Sequence, residues 1–397
     1  MDKVYYGKAV YDNKEINAVI SVLKNKGLSL VDGENVKKLE KTVSKIFGKK
    51  YGLMVNSGSS ANLLALASYN FKKGSEIITP NLTFSTTVAP IYQLGLIPHF
   101  IGVVKNKFVA DPDEIEKCVT KKTVALMIPN LLGNIADWKK IYKIAKKYKL
   151  KVIEDSADTI GYRLNNKIIG NYSDIVTNSF YASHIINGAG TGGIVCFNDK
   201  NLYIRAKLLR GWGRSSTLFN ESEDVEKRFN VKVSGIDYDA KYIFSDLGYN
   251  FLPSEISAAF ALEQIKKLKN NISIRNKNFD YLKSFFGKYD KYFNLPEQYP
   301  GIKTPWLAFP LVIKKNKKFN RRKMQIFFEK NNIQTRTIFT GNILKQPVMK
   351  NKVYGKTKNC GIVADDVMKN GILLGCHHGM KSNELKYMCD TFKKLIN

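Results

Sequence analysis

Short apolar runs alternate with amphipathic stretches over the first two-thirds of this chain. "EIITPN" (76–81), "VALMIPN" (124–130), "KVIEDSAD" (151–158), "DIVTNSF" (174–180) and "GGIVCFND" (192–199) are brief, apolar and bounded by Pro, Gly, Asn or Asp. That is the pattern of buried strands. Between them, "SANLLALASYNF" (60–71) and "DWKKIYKIAKKYKL" (137–150) read as helices. The alternation predicts an α/β fold with a mostly parallel sheet covered on both faces. In such sheets the ligand sits at the carboxyl ends of the strands. Residues 201–252 depart from the pattern: a basic helix, then a polar stretch long enough to be functional or disordered. A helix opening with Pro253 and a Ser254 cap leads into an α+β region, where "LAFPLVIK" (307–314) and "IQTRTIF" (333–339) read as strands. Two domains are expected, a large one over 1–262 and a small C-terminal one over 263–397.

Composition changes this picture little. A chain of 397 residues with 44% hydrophobic content has the make-up of a soluble globular protein. No apolar stretch approaches 18 residues and the N-terminus shows no secretory segment, so neither a membrane span nor export is expected, and the cytoplasm is the default location. Five scattered cysteines without a C-x-x-C pair argue for reduced thiols and against a local metal site. The formal charge of +30 raises a nucleic-acid partner. Its densest patch, "KKNKKFNRRK" (314–323), has Phe319 as its one ring for base stacking, so a solvated basic surface, suited also to phosphate-bearing substrates, is the reading preferred over nucleic acid.

Three segments offer chemistry. "VNSGSSANLLAL" (55–66) is a Gly–Ser turn opening a helix; it is either a plain N-cap or an anion site, with Gly58 allowing close approach and Ser59 and Ser60 adding hydroxyls. "VIEDSADTIG" (152–161) puts Glu154, Asp155 and Asp158 at the end of an apolar strand, where Asp155 either caps the next element or holds a protonated ring nitrogen. "TPNLTFSTTVAP" (79–90) sets Phe84 in a hydroxyl-rich loop, as a core aromatic or as a stacking platform. "SFYASHIINGAGTGG" (179–193) then delivers His184 ahead of a glycine cluster, and contains no lysine.

In that order, these segments resemble fold-type I (aspartate aminotransferase-like) pyridoxal phosphate enzymes. More closely, the chain from about residue 25 onward resembles the sugar aminotransferase family named for the DegT, DnrJ, EryC and StrS proteins. In that family the sixth residue of "SFxxxK" is the lysine that carries the cofactor, and here it is His184. That substitution, with "PNLLGN" (129–134), "LLRGWGR" (208–214), "SDLGYN" (245–250) and "TRTIFTGNILKQP" (335–347), is similar to the branch of 3-dehydratases acting on nucleotide-linked 4-keto-6-deoxy sugars.

The resemblance implies a cofactor, pyridoxal or pyridoxamine 5′-phosphate, bound without a covalent tether. It implies phosphate contacts from Ser59, Ser60 and Ser179, with Asn250 reaching across a homodimer interface. Asp155 would pair with the pyridinium nitrogen and Phe84 would stack on the ring; Asp158 replaces a Gln or His near the ring hydroxyl. His184 would move the protons that expel the C3 hydroxyl. The substrate would be a GDP-linked hexose or heptose, with L-glutamate as amine donor and ammonia released. A sister branch uses an iron–sulfur cluster and a reductase, with cysteines in the loop after "WGR"; here "SSTLFNESEDVEKRF" (215–229) has none. A 4-aminotransferase, and a basic protein that kept an inactive cofactor fold, are the other readings.

Overall fold

The computed structural model describes residues 2–27, 29–218 and 224–397. Its centre is an eight-stranded sheet. Seven strands come from the first half of the chain: β1 (Tyr51–Val55), β2 (Glu76–Pro80), β3 (Ile97–Ile101), β4 (Thr123–Pro129), β5 (Lys151–Asp155), β6 (Ile175–Ser179) and β7 (Gly193–Phe197). A short hairpin of β8 (Val231–Val233) and β9 (Ile236–Tyr238) stands apart. The C-terminal part adds β10 (Phe293–Asn294), β11 (Phe309–Ile313), β12 (Gly355–Lys356) and β13 (Gly371–Leu374). The large sheet runs β1-β7-β6-β5-β4-β2-β3-β12, parallel throughout except for β7, which is antiparallel to both its neighbours.

The strands read as continuous apolar runs because both faces are buried. Leu53, Val55, Ile77, Met127, Ile153, Ile175 and Val195 pack on one face, under α3 (Gly58–Ala67) and α7 (Lys200–Arg210). Their sequence neighbours Met54, Ile78, Leu126, Val152, Val176 and Ile194 pack on the other, with α2 (Glu34–Ile46) and α6 (Trp138–Lys147). The period of two in side-chain direction thus fills two cores from one set of strands. Helices α1 (Asn13–Lys24), α4 (Ser85–Gln93), α5 (Pro112–Cys118) and α8 (Val225–Phe229) complete this part.

Ser254 caps α9 as expected, accepting from the Ile256 N–H at 3.2 Å, but α9 (Glu255–Gly287) then continues for 33 residues. At 1.5 Å per residue it is about 50 Å long. The position 262/263 lies inside it. Helices α10 (Arg321–Lys330), α11 (Gly361–Asn370) and α12 (Ser382–Ile396) surround the antiparallel sheet β10-β11-β13 and a core that takes in Phe286, Phe309, Phe328 and Phe392.

One expected strand is absent. "IQTRTIF" forms only single bridges, Ile333 to Val4 and Arg336 to Leu373. The segment then turns away at Phe339, whose φ is +43°. It walls the cleft beside the large sheet. The five cysteines are all buried and free, and among the described residues no helix is long and apolar enough to cross a membrane.

Candidate active site

Three strands end at one place: β4 at Pro129, β5 at Asp155 and β6 at Ser179. With the start of α3 they enclose a cavity of about 600 Å³. Ser57 caps α3, its Oγ accepting from the Ser60 N–H at 3.0 Å. Helix geometry leaves the first N–H groups without an acceptor inside the helix, so those of Gly58 and Ser59 stay available for an anion. A Cβ on Gly58 would meet the Ser179 Cβ at 2.5 Å, so only glycine lets the helix start sit against the end of β6. The Ser179 hydroxyl lines the cavity there.

Glu154 and Asp155 are adjacent in sequence and opposite in space. Glu154 turns to the far side and is consumed by structure, accepting from Asn130, Ser156, Tyr162 and Ser173. Asp155 faces α3 and α4. Its Oδ2 accepts from Asn62 and from Thr87, both at 2.8 Å, and its Oδ1 accepts from the Ala157 N–H at 3.1 Å. Asn62 is itself fixed by the Thr177 hydroxyl at 2.6 Å. Burial raises the Asp155 pKa, and the three donors oppose that rise. All three are neutral, so the carboxylate is oriented without a cation. Asp158 lines the same cavity and accepts from the Leu132 N–H at 2.8 Å. Burial, and then the Asp155 charge, push its pKa up to about 7.

His184 lies in a turn after β6, its N–H donating to the Tyr181 carbonyl at 3.0 Å. Its Nδ1 is 3.3 Å from the Ser179 carbonyl oxygen. A carbonyl can only accept, so Nδ1 carries the proton and Nε2 is the basic nitrogen. Burial pushes the His184 pKa down to about 4, against the Ser179 carbonyl, so the ring is neutral at physiological pH. Gly190 and Gly192, at φ +97° and +112°, carry the chain past it along the cavity wall. Neither lysine nor arginine of the described residues lines this cavity.

Of the expected site residues, Gly58, Ser59, Phe84, Asp155, Asp158, Ser179 and His184 line the cavity together. Phe84 is no core aromatic: it is 49% exposed and meets Phe339 edge-on at 5.8 Å. Ser60 does not line it; its hydroxyl lies 2.9 Å from that of Ser57. Nor does Asn250, which is exposed and pairs with Gly211. Sequence reasoning missed Asn62 and Thr87, the partners of Asp155. The one signal for Asn62 was a lone amide in the apolar helix "SANLLALA", one turn after Gly58.

The profile of the DegT/DnrJ/EryC1/StrS aminotransferase family matches residues 10–393. The chain is 32% identical over 398 residues to GDP-4-keto-6-deoxy-D-mannose 3-dehydratase of Yersinia pseudotuberculosis, covering 97% of each. It is 32% identical over 380 residues to dTDP-4-dehydro-2,6-dideoxy-D-glucose 3-dehydratase of Saccharopolyspora spinosa, covering 93% of this chain and 82% of that one. A solved structure of GDP-4-keto-6-deoxymannose-3-dehydratase with a trapped PLP-glutamate geminal diamine superposes with a TM-score of 0.87 at 31% identity, covering 98% of this chain and 99% of that one.

Proposed function

The chain belongs to the DegT/DnrJ/EryC1/StrS aminotransferase family, and from that premise we propose that it removes the C3 hydroxyl of a nucleotide-linked 4-keto-6-deoxy sugar. Pyridoxal or pyridoxamine 5′-phosphate serves as an untethered cofactor and L-glutamate as the amine donor. The products are a 3,6-dideoxy-4-keto sugar, ammonia, and 2-oxoglutarate, the keto acid left when glutamate gives up its amine and supplies the reducing electrons. The carrying observation is His184, a neutral imidazole with Nε2 as its basic nitrogen, in a cavity that no lysine of the described residues lines.

The residues present fit that cofactor. The crevice at Gly58, which a Cβ would fill, brings the N–H groups of the α3 start beside Ser59 and Ser179, a set suited to a phosphate. Asp155 has three neutral donors and no cation, so a pyridinium nitrogen would supply the missing charge. Phe84 offers an exposed ring at the cavity edge. When bound, the cofactor supplies an amine for the C4 ketone and a ring that accepts electrons. Nε2 of His184 takes up a proton and, as imidazolium, gives it to the departing C3 hydroxyl. Asp155 keeps its negative charge and holds the ring in register. The buried walls exclude water while the proton is in transit.

The molecule acts as a homodimer, with Asn250 serving the neighbouring subunit's site. Asn250 is exposed and lies outside its own cavity, and exposed apolar side chains crowd the same region. The iron–sulfur route is disfavoured because residues 215–229 hold no cysteine; of these, 219–223 lie outside the described residues. The test is direct. Protein incubated with pyridoxal phosphate, L-glutamate and a GDP-linked 4-keto-6-deoxy hexose should release ammonia and a 3-deoxy sugar without iron or a reductase. A 4-amino sugar as the main product would reassign the enzyme to transamination.

A further inference from the structure

Residues 4–10 run as a strap between the C-terminal core and the turn that carries His184. On one side the strap is sewn to the C-terminal part. The Val4 N–H donates to the Asn332 carbonyl and the Gln334 N–H to the Val4 carbonyl, both at 2.8 Å. The Tyr6 N–H donates to the Gln334 side-chain oxygen at 3.0 Å. Nε2 of His377 lies 3.2 Å from the Tyr5 carbonyl oxygen, and the Gln264 amide of α9 donates to the Val10 carbonyl at 3.0 Å. Val4 is buried in the core that holds Phe309 and Phe392, and Tyr6 packs against it.

On its other side the strap meets the active site. Tyr6 and Ser183 line the cavity together with His184. A Cβ on Gly7 would lie 2.8 Å from the Ser183 Cβ, well inside the contact distance of two carbon atoms. Ser183 directly precedes His184, and its Cβ is fixed to the backbone, so it cannot swing aside as the tip of a long side chain could. A side chain at position 7 must therefore displace either the strap or the turn. The strap is tied at Val4, Tyr5, Tyr6 and Val10. The turn rests on the His184 N–H to the Tyr181 carbonyl and on the 3.3 Å contact between Nδ1 and the Ser179 carbonyl. The turn is the weaker of the two and yields, and the imidazole moves with it.

We propose that this strap fixes the direction of Nε2 of His184, with Gly7 as the positioning residue that lets strap and turn touch. The proposal rests on the proton-transfer role given to His184 above, yet one arm of its test needs no turnover. The chain has four histidines, so the imidazole signal of His184 in a nuclear magnetic resonance titration is the one lost in His184→Asn. In cofactor-free wild type it should titrate near pH 4, held down by burial and then by the Arg275 charge. Tyr6, Asp155, Asp158 and Tyr181 are the other titratable groups lining the cavity, and all stay in place in the variants below. In Gly7→Ala the displaced ring gains water and should titrate higher, toward the ordinary histidine value. Its kcat should fall by about 10–100-fold, the cost of a misplaced catalytic group. Affinity for pyridoxal phosphate should be unchanged, which also shows that the variant folds. Ser183→Gly removes the atom that the new Cβ would strike, so in that background Gly7→Ala should lose its effect on both titration and kcat. An unmoved His184 titration in Gly7→Ala, an equal loss of kcat in the Ser183→Gly background, or weakened cofactor binding would overturn the proposal. A titration that moves with Gly7→Ala and is restored by Ser183→Gly, in a protein that dehydrates no 4-keto-6-deoxy sugar, would uphold the strap and refute the reaction.

Discussion

His184 and Asp158 show how one cavity sets opposite protonation states by burial. Burial disfavours the charged form of both: it lowers the His184 pKa to about 4, leaving the ring neutral, and it raises that of Asp158 to about 7, so that the acid is protonated below neutral pH. For His184 the neutral base persists down to about pH 4, so the acid limb of kcat/KM from this group should fall there and not near 6.5. His184→Asn should still bind cofactor, because the groups suited to its phosphate and ring lie elsewhere, and should lose turnover by about 10²–10⁴-fold. Unchanged turnover would assign the proton transfer to another residue. For Asp158 the sign runs the other way. Its folded pKa lies above its unfolded value, so its contribution to stability is full below about pH 4 and is lost as pH rises through about 7. Asp158→Asn mimics the neutral acid. Thermal unfolding of the cofactor-free protein should therefore show the variant gaining on wild type between pH 4 and 7, and no further above. A constant difference across that range would mean that Asp158 is ionised in the fold.

Elements matter here chiefly through their ends. Helix α3 brings its start to the end of β6 because position 58 has no side chain. Gly58→Ala favours the helix intrinsically, but its Cβ would sit 2.5 Å from the Ser179 Cβ and 3.2 Å from the Ser179 Cα. The two ends must part. Affinity for pyridoxal phosphate, read by absorbance titration, should drop at least about ten-fold, the equivalent of one charge-assisted hydrogen bond, with the far-ultraviolet circular dichroism unchanged. Retained affinity would show that the phosphate does not use this crevice. Helix α9 works through its N-terminus as well. Glu255, in its first turn, accepts from the backbone N–H groups of Asn35 and Val36 and so caps α2, which has no side-chain cap of its own.

At the scale of the molecule, apolar surface is left uncovered between residues 225 and 247. Val225, Phe229, Ile236, Tyr242 and Phe244 are exposed there, and Leu247 is 93% exposed. In the proposed homodimer a second copy covers this surface. Phe244→Glu with Leu247→Glu should shift sedimentation from dimer to monomer and weaken cofactor binding. Asn250→Ala should leave the dimer intact and weaken the cofactor by roughly 1–3 kcal/mol, a hydrogen bond to a charged group. A wild-type monomer at micromolar concentration would contradict both.

The sequence by itself determined five of the eight strands of the large sheet, the capped start of α9, and a histidine where a lysine would carry the cofactor. Those features are local. Period-two burial, a serine before a helix and the identity of one side chain each act over a few residues. Tertiary structure alone decided the rest. It decided that Asp155 and not Glu154 faces the cavity, and it gave Asp155 its partner Asn62 from 93 residues away. It turned an expected strand at 333–339 into the wall of the cleft beside the large sheet, tied by Thr340 to a loop 257 residues earlier. Contacts of that span depend on how helices and loops pack. Hydrophobic periodicity carries no record of which polar group will face which.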